Sequence, residues 1–285
     1  MDFLIEQDIK SVIELTGTSV EELASKLGVT QATVSRWINS RNRITDKHLK
    51  TFYEEVYRQG IRLNKIKEQF YREEAIGKNE LLLFHGAKTK LEGALSLNCS
   101  KRINDFGNGF YCSESLESSA MFVATHPNAS LYMLKFRPAG LIARKFSVNR
   151  EWMLMVAYFR GKLKEYANST IIKRLLDKNN RVDYIVAPIA DNRMFEIIDS
   201  FIEGEITDVQ CQHCLSATNL GYQYVFISKK ALNKITILER CYLAEAEKHT
   251  YLSSRQENFL INLDKVKLAK KQYRNCGKYI EDLLK

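Results

Sequence analysis

Three short segments of the 285-residue chain carry residue types able to do chemistry on a ligand. Phe84-His85-Gly86-Ala87 closes an apolar run that begins Leu81-Leu82-Leu83. A histidine at a strand end can donate or accept a hydrogen bond in a cleft. Asp105-Phe106-Gly107-Asn108-Gly109-Phe110-Tyr111-Cys112-Ser113 comes next, then Ser118-Ser119-Ala120. Gly107 and Gly109 allow a backbone to turn tightly and approach a ligand. A tyrosine beside such a loop can stack on a planar heterocycle. The third segment, Gly221-Tyr222-Gln223-Tyr224-Val225, enters a late strand and offers a side-chain amide. Each segment alone fits an ordinary structural role, and the Gly-x-Gly pair is not a dinucleotide fingerprint. Asp105, Asp183 and Asp191 are the nearest acids, suited to assisting roles or to capping loops.

The order of these segments carries more than any one of them. His-Gly after a strand, then Gly-x-Gly-Phe-Tyr followed closely by Ser-Ala, resembles the poly(ADP-ribose) polymerase and diphtheria-toxin branch of the ADP-ribosyltransferases. The likeness spans residues 80–240 and looks closest to an uncharacterised bacterial family of that superfamily, which also carries a stretch like Val182–Asp191. The resemblance implies NAD as substrate and a His, Tyr, Glu triad. By it, His85 bonds a ribose hydroxyl, the Gly86 backbone bonds the nicotinamide carboxamide, and Tyr111 stacks on the nicotinamide ring. Gly107, Gly109 and Phe110 complete the implied cofactor-binding set, although Phe110 equally suits a core. The third catalytic position falls on Gln223, where the family pattern has glutamate. An amide can bond a ribose hydroxyl but supplies no negative charge to a transition state of oxocarbenium character. Mono-ADP-ribosylation therefore fits this chain better than polymer synthesis.

A second signal lies in residues 18–39, TSVEELASKLGVTQATVSRWIN. Ser19 and Glu22 form a capping box at a helix start. Leu23, Ala24 and Leu27 fall inward, and Gly28 suits the left-handed residue that ends the helix. Thr30 caps a second helix with Ala32, Val34, Trp37 and Ile38 as packing positions. The pattern resembles the Cro and phage-repressor type of helix-turn-helix over residues 5–60. That resemblance puts Gln31, Thr33, Ser35 and Arg36 on the exposed side of the recognition helix. Gln can bond adenine edges and Arg guanine or phosphate. Arg41, Arg43, Lys47 and Lys50, broken only by Asp46, extend a basic cluster that would neutralise phosphates.

The elements that must position these residues follow from pattern. Residues 1–75 read as a helical DNA-binding module, residues 80–240 as a mixed α+β transferase-like domain, and residues 241–285 as a helical basic tail. Within the α+β part, strands are expected at Leu81–Phe84, with His85-Gly86 as a turn, and at Ser130–Phe136, Tyr184–Ala187 and Gln223–Ile227. Helices are expected near Ser115–Ala124, Glu151–Tyr158 and Met194–Ile202. Cys211-Gln212-His213-Cys214 has metal-like spacing but no second close pair, so it reads as helix and no metal is expected.

Composition sets the outer limits. The net charge is +9, yet residues 1–75 hold 12 basic and 12 acidic side chains and residues 229–285 hold 13 and 7. No apolar run reaches membrane-spanning length, no signal peptide opens the chain, and six cysteines are too few for a disulfide scaffold. A reducing, cytoplasmic location is expected, with no membrane partner. Three functions remain open: a mono-ADP-ribosyltransferase joined to a DNA-binding module, of toxin or phage-defence type; a transcription regulator that senses NAD or a related nucleotide without catalysis; and a protein-interaction module. Partners expected are DNA, an unidentified protein or nucleic-acid acceptor of ADP-ribose, and a second copy in a homodimer.

Overall fold

The computed structural model describes residues 2–39, 43–100, 103–218 and 221–284. Its helices are α1 (Ile5–Thr16), α2 (Val20–Leu27), α3 (Gln31–Ile38), α4 (Asp46–Arg58), α5 (Leu63–Glu74), α6 (Leu116–Val123), α7 (Arg150–Phe159), α8 (Thr170–Asn179), α9 (Asn192–Ile202), α10 (Asp208–Ser216), α11 (Lys229–Leu232), α12 (Glu245–Gln272) and α13 (Ile280–Leu284). The strands are β1 (Leu81–Ala87), β2 (Phe110–Ser113), β3 (Ser130–Phe136), β4 (Ala143–Lys145), β5 (Tyr184–Pro188), β6 (Tyr222–Phe226) and β7 (Ile235–Tyr242). The fold is α+β. The chain divides into two compact units, one of residues 1–92, 116–135 and 236–253, the other of residues 93–115, 136–235 and 254–285.

The first unit contains α1–α5, with β1, β3 and β7 as successive neighbours. The capping box forms as the sequence predicts: Ser19 Oγ accepts from the Glu22 amide, and Glu22 returns a bond to the Ser19 amide. Gly28 ends α2 in the left-handed conformation, and Thr30 caps α3. Leu23, Ala24, Leu27, Val34 and Trp37 are buried with Phe52 and Val56 of α4. Ala32 is exposed rather than packed, because it starts the face of α3 opposite Val34 and Trp37. The same core includes Ala244, with Tyr242 against it and stacked on Tyr53 at 4.6 Å.

A buried polar network crosses this unit. Lys67 Nζ lies 2.5 Å from both Asp8 Oδ1 and Glu239 Oε1. The Tyr53 hydroxyl donates to Asp8, and the Tyr71 hydroxyl donates to Glu239. Burial opposes the Lys67 charge, but Cys241, Asp8 and Glu239 around it hold the ammonium pKa above its ordinary value. Nearby, Asn64 Nδ2 donates to both carboxylate oxygens of Glu247. Burial raises the pKa of Glu247 and Glu239 alike, against the donors that bond them.

The second unit places β4, β5, β6 and β2 side by side, β4 parallel to β5 and the remaining pairs antiparallel. One strand face carries Phe110, Phe226 and Tyr184, which pack with Phe136. The other carries Val225, Ile185 and Ala187 and packs against the core of α7 and α9, with Trp152, Leu154, Ile197 and Phe201. The C-terminal segment docks on α10: the Asp208 amide donates to the Lys278 carbonyl, and the Lys278 amide returns a bond to Asp208 Oδ1. Gly277, at φ 88°, fits there because a side chain would meet Asp208 and Val209. The tail is thus two helices joined by a docked turn.

Replacing Lys67 by methionine leaves Asp8 and Glu239 buried without their cation, a loss of about 3–5 kcal/mol readable in urea unfolding. The raised acids set the pH dependence. A carboxyl whose pKa is higher folded than unfolded binds its proton more tightly in the native state, so its contribution is lost as pH rises. Stability should therefore fall as pH climbs from the ordinary carboxyl value of 4.5 towards the raised folded values. Glu239→Gln should flatten that slope; an unaltered slope would show that Glu239 does not titrate differently in the two states.

Candidate functional site

Two groups of residues hold the sequence-derived candidates, one in each unit. In the first unit, α3 presents Gln31 and Arg36 to solvent at its first and last turns, while Thr33 and Ser35 are half-buried. The Thr33 hydroxyl lies 2.9 Å from that of Thr30, so it belongs partly to the helix cap. Arg43, Lys47 and Lys50 are exposed, and Arg41 lies outside the described residues. Residues near the N-terminus of a recognition helix are the ones that reach base edges in a major groove. Gln31 occupies the first position of α3.

Also in the first unit, His85 and Gly86 lie within β1 and not in the turn expected from sequence. The reason is packing. A Cβ on Gly86 would sit 2.3 Å from the Ser119 carbonyl and about 3 Å from the Val123 methyls. Glycine there lets α6 settle on the strand, and Ser119 Oγ donates to the Phe84 carbonyl at 3.0 Å. The His85 ring is 6.4 Å from that of Tyr132.

In the second unit, Tyr111 and Gln223 share one strand face. Tyr111 stands opposite Val225, and Gln223 stands opposite Ser113 on β2 and Ala187 on β5. Gly107 adopts φ 73°, turning the loop so that its carbonyl accepts from the Tyr111 hydroxyl at 2.7 Å, while the Phe106 amide donates to that hydroxyl at 3.2 Å. Burial, reinforced by the nearby Asp105 charge, pushes the phenol pKa up, so Tyr111 stays protonated. Gly109 brings β2 against the Phe226 carbonyl, where a Cβ would sit at 2.9 Å. Phe110, carried over above as part of the cofactor-binding set, is fully buried beside Phe226. Successive strand residues face opposite ways, so it lies on the face of Phe226 and belongs to the core there, while Tyr111 lies on the face that packs against the core of α7 and α9.

Gln223 is 7% exposed and its amide is held in one orientation. Nε2 donates to Asp105 Oδ2 at 2.7 Å and to the Pro188 carbonyl at 3.1 Å. Two acceptors on the nitrogen turn the amide oxygen the other way. Asp105 Oδ2 also accepts from the Ala190 amide at 3.1 Å, and Oδ1 takes two bonds from Arg160, at 2.9 and 2.6 Å. Arg160 Nη2 bonds the Ala190 carbonyl as well, and its guanidinium lies 4.5 Å over the Phe195 ring. Sequence reading missed Arg160, because nothing local marks the residue after α7 as the partner of a carboxylate 55 positions earlier. The other two acids are caps: Asp191 accepts from the Met194 amide, and Asp183 accepts from the Ile142 amide and the Ser228 hydroxyl. Cys211 and Cys214 are buried on α10, and His213 stacks flat on Tyr273 at 3.5 Å. Among the described residues, no three His, Cys, Asp or Glu side chains converge as a metal site. No described helix is long and apolar enough to cross a membrane.

This network requires a neutral donor at 223. Gln223→Glu would set a carboxylate against Asp105, and two such groups cannot both ionise in a buried site. The variant should lose thermal stability at neutral pH and regain it as pH falls and one carboxyl takes a proton. Equal stability at both pH values would mean that the Asp105 contact is not formed.

Comparison with known proteins addresses both parts of the chain. A helix-turn-helix family matches residues 9–52, which identifies the N-terminal helices as a DNA-binding module of Cro and repressor type. No curated protein and no solved structure matches the chain. The family described as a protein of unknown function, DUF3990, matches residues 81–237. That span is more than half of the 285 residues, and the chain belongs to the DUF3990 family.

Proposed function

We propose that the protein reads a DNA site through α3 and that its larger part binds NAD and transfers ADP-ribose to a protein or nucleic-acid acceptor. The observation that carries the NAD reading is the placement of Tyr111 and Gln223 on one face of paired strands, with the Gln223 amide fixed by Asp105. A fixed amide offers its oxygen to a ribose hydroxyl, and an uncharged phenol suits stacking on a nicotinamide ring. The resemblance to ADP-ribosyltransferases adds His85, which lies within β1. In the transfer, the bond from ribose C1 to the nicotinamide nitrogen breaks, nicotinamide departs with the electron pair, and an acceptor nucleophile bonds C1 and loses its proton.

One observation favours a second reading, in which NAD is bound and sensed without turnover. Gln223 is neutral, and the nearest carboxylate, Asp105, is already paired with Arg160. The charge that would steady a positive ribose is absent from this network, and such electrostatic terms dominate many rate enhancements.

Incubation of the full chain with NAD labelled in the adenosine half separates the two. Label transfer and nicotinamide release, both lost in His85→Ala and Tyr111→Ala, support the transferase. Saturable binding without release supports the sensor, and no binding removes both. For the DNA module, selection from a random duplex pool should yield a preferred site. Gln31→Ala and Arg36→Ala should each relax that preference by about 1–3 kcal/mol. Unaltered preference in both variants would move base reading to other residues.

A further inference from the structure

We infer that the exposed face of α8 is a second contact site for the phosphate backbone of duplex DNA. A shallow groove in the second unit is lined by Asn168, Thr170, Lys173, Arg174, Lys178 and Arg181, with Asp177 as its one acid. All of these side chains are exposed. The opposite side of α8 is anchored: Ile172 and Leu175 enter the core, and Arg144 donates to the Leu175 carbonyl and to Asn179 Oδ1. The cationic face is therefore displayed on a rigid helix.

Lys173, Arg174 and Arg181 have no ion-pair partner among the described residues. Lys178 meets Glu151 at 3.1 Å, but both side chains are over two-fifths exposed, and such a pair yields readily to a competing anion. Arg174 and Lys178 lie one turn apart on α8, roughly 5–6 Å, and Arg181 follows in the turn beyond the helix end. A compact anion would be met by converging cations. A row of this kind matches consecutive phosphates instead. The Thr170 hydroxyl and the Asn168 amide are the neutral groups that commonly join such backbone contacts. No aromatic side chain lines the groove, so unstacked bases find no platform, which favours a duplex over a single strand. DNA is the duplex this chain already engages through its helix-turn-helix.

The test uses the full chain, a short DNA duplex of random sequence, and fluorescence anisotropy across a salt series. Each lost phosphate contact lowers the slope of log affinity against log salt by about 0.9. The triple variant Lys173→Ala, Arg174→Ala, Arg181→Ala should therefore shallow the slope by about two to three. Arg174→Lys with Arg181→Lys should keep it, since lysine also neutralises phosphate. Asp177→Lys, an exposed change that does not threaten folding, should steepen it by about one. Base preference in a random-pool selection, read by α3, should survive the triple variant, which distinguishes failure of this site from failure of base reading. Unchanged slopes in both the triple variant and Asp177→Lys would overturn the proposal. So would a loss confined to inorganic polyphosphate or single-stranded RNA, with DNA binding intact.

Discussion

The buried ammonium of Lys67 organises the first unit. Lys67, on α5, is enclosed by Asp8 from α1 and Glu239 from β7, two acids that lie far apart in sequence. Desolvating three charges is costly, and only good geometry with extra donors offsets it. Tyr53 and Tyr71 supply those donors, one to each carboxylate. The cluster fixes the last strand of the chain against helices from its first quarter. Breaking it would cost about 3–5 kcal/mol against a net stability of only about 5–15 kcal/mol for a typical protein. The helix-turn-helix is consequently not carried on a loose tether: its α4 core holds Ala244, and Glu54 accepts from the Glu245 amide at the start of α12.

The second unit solves a similar problem with the opposite chemical consequence. Asp105 accepts from Arg160, Ala190 and Gln223, so one carboxylate joins the glycine loop, the end of α7, the segment after β5 and the strand β6. Because the acid of this cluster sits at 105, position 223 must be a donor. The glutamine that departs from the transferase pattern is thus explained by its neighbours. Whatever chemistry this face performs, it does so with an amide whose orientation is set from outside the strand, and with a guanidinium already committed to the nearest carboxylate.

Local signals were legible wherever local interactions decide structure. The Ser19–Glu22 box, the left-handed Gly28 and the Thr30 cap are all read within three or four residues. Ser130–Phe136, Tyr184–Ala187 and the strand at Gln223 announced themselves as apolar runs because both their faces are largely covered. The elements that escaped are those fixed from afar. β2 is four residues long and gains its form by pairing with β6. β4 has three residues, all partly or fully exposed, and exists as a partner of β5. β7 buries Glu239, which reads as polar until Lys67 is placed beside it. Gly86 looks like a turn because only the approach of α6 reveals why a strand needs glycine there. The candidate site follows the same division: Tyr111 and Gln223 were visible as residue types, while Arg160 became visible only through contact.

The same distinction resolves an apparent conflict in charge. A module with 12 basic and 12 acidic residues in its first 75 looks poorly suited to a polyanion. Several of the acids are engaged within the protein, although each ion pair also ties up a base. Asp8 is buried with Lys67 and Tyr53, Glu22 is bonded into the α2 cap, and Glu6, Glu55 and Glu68 pair along their own helices. Arg36, Arg43, Lys47 and Lys50 remain exposed and without ion pairs among the described residues. Their field reaches solvent, whereas a buried or paired carboxylate offers little repulsion beyond a Debye length of about 10 Å. Net charge over the module therefore says little about the surface around α3, where Arg36, Arg43, Lys47 and Lys50 face solvent with Asp46 as the acid among them.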